Sequence, residues 1–552
     1  MPPLRPFPLP LALRHAQLTC RYSRRYVPAL VRGCSCSAPQ QLPRSVNSKT
    51  LDQNAQLNPT TSSLPTPPTD HRTLAQSHEL FITSPYSPGS PLLLPNGAYV
   101  FQKLQSFLRA QYPQFGFQEV ITPTIYKKSL WEKSGHWDNY ADDMFSVQGR
   151  GATGQMGQTE SAEVGQNEEF GLKPMNCPGH CLLFRDEIKS YRDLPIRYAD
   201  FSALHRNEVS GSLTGLTRVR RFHQDDAHIF CRPDQILSEI ERTLEFVGMV
   251  YDTFGLGPYK LLLSTRPKDQ FIGTVEEWDR AEAQLTTALN NSGREWALNE
   301  GDGAFYGPKI DILLKDSNGK EHQTATVQLD FQLPQRFDLQ YQASPEELES
   351  PTETKEEGVL DPSNRRPVIV HRAIYGSLER FMALLIEHYA GKFPFWLSPR
   401  PAVIISLNQD PEVLASVSDM HATLSGLSPS RDSSLSSTTD TSSPSKPQPQ
   451  PLNTTHIPID IDISARPLGK KIADAYKKKY NHVIVVGPSE SQSGNFNVDL
   501  VNQPNEDAAK DVMSLVLGRE AQTTKSRRGK MGVSMSRVEL RLYFEKLVES
   551  YL

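Results

Sequence analysis

KPMNCPGHCLLF at 173–184 and ADFSALHRNEVSGSLTGLTRVRRFHQDDAHIF at 199–230 decide the reading of this chain. The second stretch predicts two antiparallel strands around a loop rich in Ser and Gly (Ser210, Gly211, Ser212, Gly215). Alternate side chains on a strand share a face. Counting by two from Arg218 puts Arg218, Arg220, Phe222, Gln224, Asp226 and His228 together, and the incoming strand adds Arg206 and Glu208. A core face could not bury such a set unpaired, and a solvated face seldom gathers cations, an aromatic, an amide, an acid and an imidazole. The pattern implies the floor of a site for a polyanion with a base to stack. The plain alternative is a salt-bridged exposed strand.

In the first stretch, Cys177, His180 and Cys181 have spacings that could ligate zinc from one loop-to-helix segment. Pro178-Gly179 interrupts regular structure, and Cys181-Leu182-Leu183-Phe184 begins an apolar run, so Cys181 is expected in the core.

HRNE followed by RVRRFHQDDAHIF resembles motif 2 of the class II aminoacyl-tRNA synthetases, and with KPMNCPGH it resembles the threonyl-tRNA synthetase family, over about Asp70 to Leu552. GFQEVITPTIYKKSLWEKSGHWDNYADDMF is similar to motif 1, and VIVHRAIYGSLERF to motif 3. The resemblance implies an α/β architecture: a catalytic domain at 70–399, built on an antiparallel sheet flanked by helices, and a small α/β anticodon-binding domain at 400–552. It implies a zinc ion, one per subunit, on Cys177, His228 and His371, three ligands that leave the open position a catalytic zinc needs. It gives Arg206, Glu208, Arg218, Phe222, Gln323, Thr326 and Arg380 to ATP, which comes with Mg²⁺. L-Threonine falls to Met175, Gln224, Asp226, Tyr306 and Gln328, and Arg206, Arg380 and Lys309 are the catalytic set. Motif 1 implies a homodimer, and tRNA(Thr) is the third substrate, taking the threonyl group in the second step. Threonine and valine are nearly isosteric, and an apolar pocket separates such pairs by only about a hundredfold; zinc that ligates amino group and hydroxyl rejects valine. Two places depart from the family pattern: Arg221 stands where glycine is expected, and Thr324-Ala325 where Cys-Gly is usual. A bulge at Arg221 would put Arg220 off the shared face.

Composition bounds the rest. A chain of 552 residues with a net charge of −4 is long enough for two or three domains and has no global basicity, so any nucleic-acid surface is a local patch. Six cysteines in this length make no disulfide framework, and no apolar run is long enough for a membrane span. Residues 1–50 are rich in Arg, Ser and Pro and hold no acid before Asp52, the composition of a mitochondrial transit peptide, which places the protein in the mitochondrial matrix. A linker is expected at 51–69, and inserted segments at 149–170, 425–455 and 495–525. The residues before Asp70 are low-complexity, so no editing domain is expected there. KSRRGK at 525–530 offers Arg527, Arg528 and Lys530 to tRNA.

Two other functions fit part of this. A sister class II synthetase would share the ATP floor and lack the Cys177, His228, His371 set. A non-catalytic synthetase-like binding protein would keep the fold and lose the phosphate arginines, and here Arg206, Arg218 and Arg380 are all present.

Overall fold

The computed structural model describes residues 70–147, 169–268, 271–317, 319–349, 361–427, 455–521, 524–525 and 531–552. The leader and linker at 1–69, most of 149–170 and 425–455, and Arg527, Arg528 and Lys530 lie outside the described residues.

Eight strands form the catalytic sheet, in the order Trp296–Asn299, Lys260–Ser264, Lys309–Lys315, Glu321–Asp330, Val368–Ala373, Asp226–Cys231, Ile196–Asp200 and Gln118–Glu119. The inner pairings are antiparallel and only the two edge pairs run parallel. Four helices carry the core: Pro95–Phe115, Ile236–Thr253, Val275–Asn291 and Leu378–His388. Their ends are set locally. Proline opens the first, whose fixed φ suits a first helical turn, and Gly116 closes it at φ +74°. Thr274 and Glu277 form a capping box for the third. In the fourth, Leu378, Phe381, Leu384 and Leu385 face inward, as their helical spacing predicts.

The continuous strand expected from Arg218 to His228 is two pieces. Arg221–His223 pairs only with Ala203–His205, in a ribbon separate from the main sheet, and Asp226–Cys231 belongs to that sheet. The break falls at Asp225, whose buried carboxylate accepts from the Arg372 guanidinium at 2.8 Å and from the amides of Ile374 and Tyr375 at 2.7 and 2.9 Å. Those three bonds hold the chain out of strand geometry and lock motif 2 to motif 3. Arg220, just ahead of the first piece, leaves the shared face: its amide donates to the Gly89 carbonyl at 2.6 Å, and its guanidinium to the Glu208 carbonyl at 2.9 Å and to Ser210 Oγ at 3.2 Å.

Beyond Arg400 a six-stranded sheet runs Ile459–Asp462, Ala402–Ser406, His482–Val486, Asn495–Leu500, Met531–Ser536 and Thr524–Lys525. The segment 495–525, expected as an insertion, instead supplies this domain with the strand Asn495–Leu500 and the helix Glu506–Leu517. Asn495–Leu500 pairs on both sides, and Phe496, Val498, Ala509 and Met513 are buried in the domain core. Its polar letters mask alternating apolar positions whose period of two marks a strand. No helix among the described residues is long and apolar enough to cross a membrane.

Candidate active site

One register row crosses four adjacent strands of the catalytic sheet. Lys309 lies opposite Gln328, Gln328 opposite His371, and His371 opposite His228. Directly opposite residues share a face, so side chains scattered between positions 228 and 371 converge on one line. Cys177, at the first position of the helix Cys177–Arg185, comes to the same line: its sulfur and one nitrogen each of His228 and His371 lie within 4.8 Å of one another, all three residues buried. Each imidazole is held by a partner behind it. His228 Nδ1 is 2.7 Å from His180 Nδ1, and His371 Nε2 is 2.9 Å from Asp330 Oδ2. Asp330 is itself fixed, accepting through Oδ1 from the amides of Gln332 and Leu333. His228 Nε2 is buried with no hydrogen-bond partner. Such an orphan, beside a thiol and a second imidazole, fits a borderline-soft cation such as zinc. Burial, and then His371 and His180, push His228 well below the usual imidazole range, so it stays neutral and able to ligate. Burial pushes the Cys177 thiol well up, so it ionises only opposite a cation.

Of the residues expected to hold the amino acid, Tyr306, Gln328 and Asp226 lie beside the two imidazoles, and Gln224 lines the neighbouring cleft. Tyr306 donates to Gln328 Oε1 at 2.5 Å, and its ring centroid lies 5.6 Å from that of His371. Asp226 Oδ1 is 4.0 Å from His228 Nε2, and Met175 Sδ is 3.1 Å from His136 Nε2. Lys309 is ion-paired to Asp311 at 3.1 Å.

Alongside, a cleft of about 270 Å³ is lined by Arg206, Glu208, Arg218, Phe222, Gln224, Gln323, Thr326, Gln328 and Arg380, all nine expected from sequence, together with Thr217, Val219, Thr324, Gly376 and Ser377. The Arg206 guanidinium lies 5.0 Å from the centre of the Phe222 ring, a cation–π contact that orders it. Arg380 donates to the carbonyls of Gln323 at 2.9 Å and Thr217 at 3.1 Å. Glu208 accepts from Arg218 at 2.8 Å. Burial, then Arg206 and Arg218, press Arg380 below its ordinary value. Guanidiniums gathered in one cleft suit the charge of a polyanion.

Residues 161–389 match the model of the tRNA synthetase class II core domain (G, H, P, S and T), and 449–510 match the anticodon binding domain. The chain is 47% identical over 424 residues to the probable mitochondrial threonine--tRNA ligase of Schizosaccharomyces pombe, covering 76% of this chain and 82% of that protein. It is 46% identical over 444 residues to the mitochondrial threonine--tRNA ligase of Saccharomyces cerevisiae, covering 78% and 87%. The chain belongs to the threonyl-tRNA synthetase family. A crystal structure titled as the RNA binding domain of threonyl-tRNA synthetase from Cryptosporidium parvum Iowa II superposes with a TM-score of 0.68 at 38% identity, covering 87% of this chain and 98% of that one.

Set against this threonyl-tRNA synthetase fold, sequence reasoning missed three groups. Asp311 is the hub beneath the cleft: it pairs with Lys309 and accepts from Ser264 at 2.8 Å, Gln323 at 2.5 Å and Thr326 at 3.3 Å. Its place two residues after Lys309, on the same face of an otherwise apolar strand, was the available signal. His180, read only as a local ligand candidate, instead stands behind His228, with its Nε2 3.8 Å from Asp200. His136, driven down to about 4 chiefly by burial, is a neutral imidazole against Met175. Thr324 fills its unusual position by accepting from Tyr251 Oη at 2.7 Å and donating to the Ile312 carbonyl at 3.2 Å.

Proposed function

We propose that this chain activates L-threonine with magnesium ATP to threonyl-adenylate and transfers the threonyl group to the 3′ end of tRNA(Thr), acting in the mitochondrial matrix as a homodimer with one zinc per subunit. The observation that carries the reading is the single sheet face that joins a Cys177, His228, His371 ligand set to a cleft of phosphate-matched arginines.

The residues divide the work by charge. Threonine's carboxylate oxygen attacks the α-phosphorus and pyrophosphate leaves on the far side. Arg206 holds the α-phosphate and the carboxylate; Arg218 and Arg380 take the β- and γ-phosphates. These groups position and neutralise and form no covalent bond. Phe222 stacks on adenine, Glu208 meets its exocyclic amine, and Gln323 and Thr326 border the nucleotide. Met175, Gln224, Asp226, Tyr306 and Gln328 enclose the amino acid, and Lys309 adds positive charge at the reacting end. Zinc, when bound, supplies a Lewis-acidic point that reads amino group and hydroxyl together. Arg527, Arg528 and Lys530 lend positive charge to the tRNA contact.

The homodimer is supported by apolar side chains left exposed along motif 1 and the neighbouring helix, Ile121 at 87%, Ile125 at 46% and Leu182 and Leu183 at 39% each. The mitochondrial setting is supported by the acid-free, arginine-rich leader and by relatives named as mitochondrial.

One experiment tests the whole: amino-acid-dependent ATP–pyrophosphate exchange, tRNA(Thr) charging, sedimentation and metal content on native protein from the mitochondrial matrix fraction. Threonine-driven exchange and charging by a two-chain species with about one zinc per chain is expected. Exchange driven by a different amino acid, or a zinc-free protein without exchange, would overturn it.

A further inference from the structure

Asp70, His71 and Glu387 also offer three ligand atoms within 4.8 Å of one another, yet the imidazole is already fully engaged. His71 Nδ1 lies 2.8 Å from Glu387 Oε1, and Nε2 lies 3.2 Å from the Leu216 amide nitrogen. A backbone N–H can only donate, so Nε2 is the bare nitrogen and Nδ1 carries the proton toward the carboxylate. Glu387 Oε2 accepts from Ser317 N at 3.0 Å and Ser317 Oγ at 2.7 Å. Burial works to raise Glu387, but these bonds hold it down at about 2. Asp70 is turned to Arg72. The cluster is a hydrogen-bond hub, and a cation would have to break it.

The hub holds the turn Thr214–Arg218, which carries two residues of the arginine cleft. Gly215 has φ +50°, and a Cβ there would lie 2.2 Å from His71 Nε2, so the turn is shaped to admit this ring. Leu216 is fully buried. The next residue gives its carbonyl to Arg380 Nε at 3.1 Å, and the one after is Arg218. A closed circuit results. Glu387, near the end of the helix Leu378–His388, grips His71; His71 grips Leu216; Thr217 returns to Arg380 at the start of the same helix.

We propose that His71, distant in sequence from every motif of the site, is a positioning residue for the nucleotide: it fixes the Thr214–Arg218 turn so that Arg218 and Arg380 meet the triphosphate together. This rests on reading the cleft as the ATP site.

The test uses His71→Asn and His71→Gln in the full chain, assayed by threonine-dependent exchange with KM and kcat resolved for each substrate and melting measured alongside. An Asn amide nitrogen stands near the Nδ1 position and keeps Glu387 while losing Leu216; a Gln carbonyl stands near Nε2 and keeps Leu216. The expected result is a KM for ATP raised about three- to tenfold in His71→Asn, the size of one neutral hydrogen bond. The KM for threonine stays put, melting falls only by the few degrees an unpaired buried amide costs, and His71→Gln restores the ATP value. Equal losses in both variants, or losses spread over both substrates, would overturn the proposal. If neither variant folds, hydrogen exchange on the unaltered protein decides: a Leu216 amide protected like those of the sheet supports the strut, and one exchanging as an open loop overturns it. Unaltered protein without saturable ATP dependence would instead sink the nucleotide reading of the cleft, and the proposal with it.

Discussion

Arg206→Ala is expected to lower threonine-dependent ATP–pyrophosphate exchange by about two to three orders of magnitude, the cost of removing one preorganised charge donor from a reacting phosphate. The melting temperature should hold or rise slightly. Arg206 is among the groups that press Arg380 below its ordinary value, so in the ligand-free protein its removal relieves repulsion. It does cost a cation–π contact with Phe222 at 5.0 Å, which at a partly exposed site is worth about 0.5–1 kcal/mol. The two terms oppose and roughly cancel. Arg206→Lys should recover little, because a point charge cannot bridge two oxygens as a guanidinium fork does. Exchange within about threefold of the parent at unchanged melting would mean that the α-phosphate is held elsewhere and that the role given to Arg206 is wrong.

Which of these relationships a sequence can carry follows from how local they are. Alternation along one strand needs only neighbours, so the placing of Phe222 and Gln224 in the cleft was legible. The same counting failed at Arg220, whose amide is drawn to the Gly89 carbonyl, and past Gln224, where Asp225 turns the chain to meet Arg372 and the amides of Ile374 and Tyr375; no local pattern encodes either pull. The row Lys309, Gln328, His371, His228 depends on the register of three strand pairings. Spacing could not supply that register; resemblance to a family supplied the residues without the reason they align. Asp311 lay between the two, visible as a lone acid in an apolar strand but unassignable until Lys309, Ser264, Gln323 and Thr326 closed around it. His71 was opaque altogether. Its two partners are 145 and 316 residues distant, and a histidine in a first helical turn carries no mark of either.

The proposed metal set gives the other large effect. Cys177→Ala is expected to take zinc content from about one per chain to below about a tenth, and threonine-dependent exchange to background, while ATP binding by the cleft persists. The separation follows from geometry. Cys177 packs with Cys181, Phe184 and Phe230, and the arginine cleft is lined by none of Cys177, His228 and His371. His180→Ala should have a graded effect. It leaves Cys177, His228 and His371 in place and removes the group 2.7 Å from His228 Nδ1, so zinc affinity should weaken by about 10- to 100-fold, the scale for losing an outer hydrogen-bond partner of a ligating imidazole. Metal analysis across a chelator series separates the two variants, and nucleotide binding checks that each is folded. Zinc retained at one per chain in Cys177→Ala would place the metal on other ligands, and the convergence of the three side chains would then be packing alone.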